Sequence, residues 1–82
     1  MLSENFSPER IKQISSGRLS RFRSDHSLTQ RQVAEHLPVS EEAYSFYEYG
    51  SSRIPFETLQ PLAALFGTSA DYILGLTDDP VI

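Results

Sequence analysis

Residues 28–50, LTQRQVAEHLPVSEEAYSFYEYG, constrain the fold of this chain more than any other segment. They read as two short helices meeting at a tight corner. Thr29 is a cap candidate for a helix over residues 30–37, with Val33, Ala34 and Leu37 as its apolar stripe. Pro38 ends that helix, because the residue before a proline is pushed out of helical geometry. Ser40 caps a following helix, Glu41 and Glu42 suit the positive end of its dipole, and Gly50 supplies the stop after Tyr49. Counting from Gln30, the fourth and eighth residues, Val33 and Leu37, face inward. The fifth, Ala34, is small enough for two helices to cross over it. Val39, the tenth, packs under the corner, and Tyr44 and Tyr47, the fifteenth and eighteenth, turn the second helix back to a shared core.

The helical pattern extends to both sides. Ser7-Pro8-Glu9 is a helix start, followed by Ile11, Ile14, Leu19 and Phe22 on one broad face. Ser15-Ser16-Gly17 leaves two options open, one long helix from Pro8 or a shorter one after Gly17. Asp25 to Ser27 is the first corner, and residues 51–55 form a loop. A fourth helix covers residues 57–66, with Leu59, Leu62, Ala63, Leu65 and Phe66 apolar. Pro61 has no amide to donate, so regular hydrogen bonding is expected to begin near it. Gly67 terminates, Thr68 or Ser69 caps, and a fifth helix spans residues 70–74. Strand-like alternation is absent. The expectation is one all-α domain of five helices over residues 7–76, its bihelical unit at residues 30–49, with a loose tail at residues 77–82.

Eighty-two residues suit a single domain whose core is thin, since a chain of this size buries only about 60% of its unfolded surface. Dimerisation would hide apolar surface that one protomer cannot. Without cysteine there is neither a disulfide framework nor a thiolate metal site, which fits a reducing cytoplasm. No apolar run approaches the roughly 20 residues of a membrane span. Residues 1–10, MLSENFSPER, lack the basic start and apolar stretch of a secretory signal. Net charge is −4, against a general affinity for nucleic acid, but five of the seven basic residues (Arg10, Lys12, Arg18, Arg21 and Arg23) lie in the first 23 positions. A local basic patch on an acidic protein is therefore available.

The chain resembles the helix-turn-helix domains of phage repressors, Cro proteins and the wider XRE-like regulators. The resemblance rests on Leu28-Thr29-Gln30, Val33-Ala34, Leu37, Val39-Ser40, Tyr47-Glu48, Gly50, Pro55, Thr58-Leu59, Leu62-Ala63, Phe66-Gly67 and the run from Ser69 to Leu76. It covers residues 17–79, most of the chain. It implies a homodimer on double-stranded operator DNA, with a third helix in the major groove of each half-site, half-sites lying about 34 Å apart. Glu41, Glu42, Ala43 and Phe46 would face base edges. Gln30 at the start of the second helix would meet phosphate, as would the loop residues Ser51, Ser52 and Arg53, with Arg18 and Arg21 as further backbone candidates. Arg23 and Glu48 match positions that pair in some relatives as a semi-buried ion pair. Tyr72, Ile73, Leu74 and Leu76 are dimer candidates, with the protomer core as their competing role. Control would come from protein concentration or from a protein partner such as an antirepressor.

Two departures stand out. The third helix carries Glu41, Glu42, Phe46 and Tyr49 where relatives often have Gln, Arg, Lys or Ser. Carboxylates repel phosphates, although Glu can accept from cytosine N4 and Phe can touch a thymine methyl. Pro38 replaces the usual corner glycine, so the corner must close differently. These departures support a second reading, a protein-interaction module of the same fold that docks a partner through Phe46, Tyr49 and the acidic helix. Whether Arg18, Arg21, Arg31 and Arg53 converge beside the third helix separates the two. His26 and His36 form no catalytic or metal constellation, and no glycine-rich phosphate loop is present, so neither an enzyme nor a cofactor is expected.

Overall fold

Ser7 Oγ accepts from Arg10 N at 3.2 Å and opens helix α1, Pro8–Asp25, in a computed structural model that describes residues 7–81. Residues 1–6 and 82 lie outside the described residues, and with them most of the N-terminal stretch judged for a signal and the last residue of the tail. The helix runs through Ser15-Ser16-Gly17 unbroken, which resolves the open choice in favour of a start at Pro8. The serines serve as docking points: buried Ser15 donates to Ile73 O at 2.9 Å, and Ser16 donates to Glu48 O.

Helix α2, Gln30–Ala34, is shorter than the sequence suggested. Thr29 and Gln32 form a reciprocal capping box, with Gln32 N to Thr29 Oγ1 at 3.1 Å and Thr29 N to Gln32 Oε1 at 2.8 Å. Beyond Ala34 the bonds tighten to three-residue spacing, His36 N to Val33 O and Leu37 N to Ala34 O, both at 3.0 Å. Pro38 cannot extend the ladder, so a tight turn carries buried Leu37 inward without regular helix. Helix α3, Glu41–Tyr49, begins with Ser40 Oγ accepting from Ala43 N at 3.1 Å and ends at left-handed Gly50, φ 74°.

Helix α4, Phe56–Phe66, contains Pro61 in its interior, so the helix starts well before the proline rather than near it. Its first turn closes on Pro55 O, which accepts from Thr58 N at 3.0 Å and Leu59 N at 2.9 Å. The amide that Pro61 lacks falls on the carbonyl of exposed Glu57, where water can substitute. Helix α5, Ala70–Leu74, is capped by Ser69 Oγ accepting from Tyr72 N at 3.1 Å.

The described residues form five helices and no strand. Leu19 of α1, Val33 of α2, Tyr44 of α3, Leu62 of α4 and Ile73 of α5 are each 0% exposed, so every helix sends one fully buried side chain to a common core. Burying one such aliphatic side chain contributes about 1.5–3 kcal/mol. Phe22 stacks on Phe66 with ring centroids 5.4 Å apart and meets Tyr72 edge-on at 5.7 Å, extending the core towards α5. Ile73 is thereby removed from the dimer candidates, because its side chain is spent inside the protomer.

Residues 77–81 are held down, contrary to the loose tail expected. Thr68 Oγ1 donates to Pro80 O at 2.7 Å. Arg18 reaches across from α1, donates to Tyr72 O, to Thr77 O at 2.9 Å and to Asp78 Oδ1 at 3.0 Å, and lays its guanidinium 3.9 Å from the centroid of the Tyr72 ring. Among the described residues no helix is long and apolar enough to cross a membrane.

Candidate nucleic-acid interface

Glu48, a residue on the inner side of α3 that is 6% exposed, ties α1, α2 and α3 together through its side chain. A buried charge needs partners, and Glu48 accepts from four side chains on three helices. From α1, Arg23 Nε donates to Oε2 at 2.7 Å, Arg23 Nη2 to Oε1 at 3.1 Å and Ser20 Oγ to Oε1 at 3.2 Å. From α2, Gln30 Nε2 donates to Oε1 at 3.2 Å, and from one turn back on α3, Tyr44 OH donates to Oε2 at 2.6 Å. Arg23 Nη1 also donates to Leu28 O at 2.9 Å, tying in the first corner. With five donors on two oxygens, neither has a lone pair left for an external ligand.

Burial alone would push the Glu48 carboxyl up, but hydrogen bonds from Arg23, Tyr44 and Gln30 outweigh it and hold the group below the ordinary carboxylate value. The hydrogen bond to Glu48 raises Arg23. Burial, with the same carboxylate as neighbour, drives the Tyr44 phenol far above its ordinary value, so it remains a donor.

With Tyr44, Tyr47 and Glu48 turned inward, the outer side of α3 is left uncovered. Glu41 and Glu42 are exposed in its first turn, Ala43 is half-buried beside them, and Phe46 and Tyr49 are 44% and 69% exposed. Half-buried Ser45 donates to Glu42 O at 2.6 Å. Ser51 and Arg53 are exposed in the loop that follows, and Ser52 donates to Arg53 O at 3.1 Å.

Charge on this surface is divided along α3. Gln30, the first residue of α2, reaches Glu48 near the end of α3, so neighbouring exposed Arg31 belongs to that end. Gly50 abuts α1, where a Cβ on it would lie 3.5 Å from Lys12 O. Lys12 and Arg53, which line one pocket, therefore lie near the C-terminal end of α3, and exposed Arg31 follows Gln30 at the start of α2. Glu41 and Glu42 sit at the other end, roughly 12 Å away along the helix axis.

Two expected backbone ligands lie elsewhere. Arg18 is consumed by the tail, and Arg21 sits with it in a groove formed with Phe22, Tyr72 and Pro80. Arg21 also faces Asp25 at 3.9 Å, an exposed pair on its own helix. Of the four arginines whose convergence was in question, Arg53 follows α3 directly, whereas Arg18 and Arg21 line the groove with Tyr72 and Pro80. The sequence reading missed Ser16, Ser20, the Tyr44 hydroxyl and Gln30 as partners of Glu48. The available signal was helical spacing: Ser16, Ser20 and Arg23 share one side of α1, and Tyr44 is four residues from Glu48. The remaining dimer candidates divide too, since Tyr72 is under Arg18, Leu74 packs against the core and Leu76 is 46% exposed.

A helix-turn-helix family model matches residues 19–73. Over 63 residues the chain is 46% identical to an uncharacterized HTH-type transcriptional regulator of Bacillus subtilis (strain 168), YobD, covering 77% of this chain and 56% of that protein. A second regulator so described from the same organism, YqaE, is 34% identical over 56 residues, 68% of this chain and 48% of its own length. An SPbeta prophage-derived one, YonR, is 30% identical over 57 residues, 70% of this chain and 53% of its own. The chain thus spans about half the length of the curated relatives it matches. No solved structure gives a significant match.

Proposed function

This chain belongs to the helix-turn-helix family, of XRE type, and from that premise we propose that it is a cytoplasmic transcriptional regulator, a repressor that binds operator DNA as a homodimer. The observation that carries the proposal is the uncovered side of α3, held from within by the hydrogen bonds to Glu48 and followed by exposed Arg53 in the loop after its C-terminal end. In this reading α3 enters the major groove. Glu42 and Phe46 meet base edges, as acceptor for cytosine N4 and contact for a thymine methyl, with Glu41 and Ala43 beside them. Arg53, Ser51 and Ser52 hold phosphate, and Gln30 donates its second amide hydrogen to another. Exposed Leu76 is the best-placed residue for a dimer contact. An antirepressor or similar partner would relieve repression.

The same surface supports a second reading. Arg18 and Arg21 lie away from α3, while Phe46 and Tyr49 are exposed, which favours a module that docks a protein partner. Fluorescence anisotropy against mixed genomic DNA fragments, from low to physiological salt, decides between them. Steeply salt-dependent binding is expected for the regulator. A folded dimer that binds no DNA even at low salt would overturn it in favour of the protein-docking module.

A further inference from the structure

Between the start of α1, the loop after α3 and the end of α5 lies a pocket of about 270 Å³. Pro8, Ile11, Ile54 and Leu74 give it an apolar lining, and Lys12 and Arg53 give it two cations. The volume is close to the lower end of the roughly 300–1,000 Å³ typical of small-molecule sites. The other polar lining residues are Ser15 and Ser52, whose hydroxyl protons are already committed to Ile73 O and Arg53 O. The side-chain donors left for a ligand are the Lys12 ammonium and the Arg53 guanidinium. Neither makes a side-chain hydrogen bond or ion pair among the described residues, and the lining residues among them include no carboxylate.

We infer that this pocket binds a small amphipathic carboxylate, its anionic group between Lys12 and Arg53 and its apolar, aromatic or branched body against Ile11, Ile54 and Leu74. A neutral ligand would leave both cations unanswered, and a bare inorganic anion would leave the apolar lining wet. Charge-assisted bonds to the two cations fix orientation, while burial of the body supplies the rest of the affinity. One consequence rests on the proposed function: Arg53 cannot serve the ligand and a DNA phosphate together, so an occupied pocket opposes DNA binding.

The test uses 2-naphthoate as a fluorescent probe, with 2-naphthamide and inorganic phosphate as controls, on the full chain. Saturable binding of 2-naphthoate at one site per chain is expected. Resonances of Lys12, Arg53, Ile54 and Leu74 should shift in nitrogen–proton and methyl correlation spectra. The variant K12Q/R53Q, checked for folding by circular dichroism, should bind the probe roughly tenfold more weakly or worse. Equal binding of 2-naphthamide, unchanged affinity in the variant, shifts confined to other helices, or no saturable binding would each overturn the site. Added 2-naphthoate should also weaken DNA binding. If the chain binds no DNA, the probe titration still decides the pocket, so failure of the DNA reading and failure of this site are distinguishable.

Discussion

Arg23 Nε donates to Glu48 Oε2 across 2.7 Å, and that contact joins α1 to the inner side of α3, where the buried Glu48 side chain is only 3% exposed. Removing Glu48 leaves the half-buried Arg23 guanidinium without its counter-ion and the buried Tyr44 hydroxyl without its acceptor. Glu48→Ala is expected to cost about 3–5 kcal/mol, enough to threaten a domain this small. The double variant R23L/E48L should be more stable than E48A, because apolar replacements leave no stranded charge. Urea unfolding of the three proteins measures this, and a double variant weaker than E48A would refute the ion-pair account.

The same carboxylate sets a pH dependence. Glu48 is held below its ordinary value in the folded chain, so the unfolded state binds the proton more readily. Its contribution is therefore complete above the ordinary carboxylate range, about pH 4.5, and is lost as pH falls through the lower folded value. Thermal unfolding should show a midpoint that drops over this acidic window. In E48Q, provided it folds, that part of the drop should be absent.

The fold was largely legible because its helices carry their own punctuation. Thr29, Ser40 and Ser69 each accept a hydrogen bond from the first turn they precede, and Gly50 adopts the left-handed geometry expected of a stop. Periodicity also assigned Val33, Tyr44 and Tyr47 to the interior, where they lie. Periodicity says which side of a helix is covered, though, not by what. Arg18 and Arg23 are five residues apart on one helix, yet one serves the tail and the other serves Glu48. Nothing local distinguishes them, because the partners are 59 and 25 residues distant. Ile73 failed as a dimer candidate for the same reason, since its apolar character suits an interface and a core equally.

For DNA binding, position on the surface should outweigh charge alone. Arg53→Ala is expected to weaken DNA affinity about tenfold at low salt and to reduce the salt slope by roughly 1. Arg21→Ala removes the same charge from the groove beside Tyr72 and Pro80 and should change affinity far less. Anisotropy titrations at several salt concentrations provide both numbers. Equal losses from the two would mean that only net charge matters.

Arg18→Met should free the tail without unfolding the domain. Amide hydrogen exchange at Asp79 and Val81 is expected to accelerate, while Leu19, Leu62 and Ile73 stay protected. DNA affinity should be nearly unchanged, because the guanidinium is turned towards Thr77 and Asp78. A large affinity loss with intact exchange protection would return Arg18 to the DNA-contacting set.

Gly75 has φ 83°, and a Cβ on it would fall 2.7 Å from Ile14 Cδ1 and 2.8 Å from Cγ2. Gly67 has a similar φ of 66° but open space around it. Gly67→Ala should cost about 1–2 kcal/mol for its left-handed backbone alone. Gly75→Ala should cost that plus about 1–3 kcal/mol for displacing Ile14. Parallel thermal melts would show whether the packing of α5 on α1 is as tight as the geometry requires.

Because Glu48 and its donors use only the inner side of α3, what the helix displays outward is uncoupled from what keeps it in place. Glu41, Glu42, Phe46 and Tyr49 can be exchanged as a set while Arg23, Gln30, Tyr44 and Glu48 are retained. The domain is in that sense a chassis with a replaceable faceplate, on which a new preference can be written while the frame that holds it stays the same.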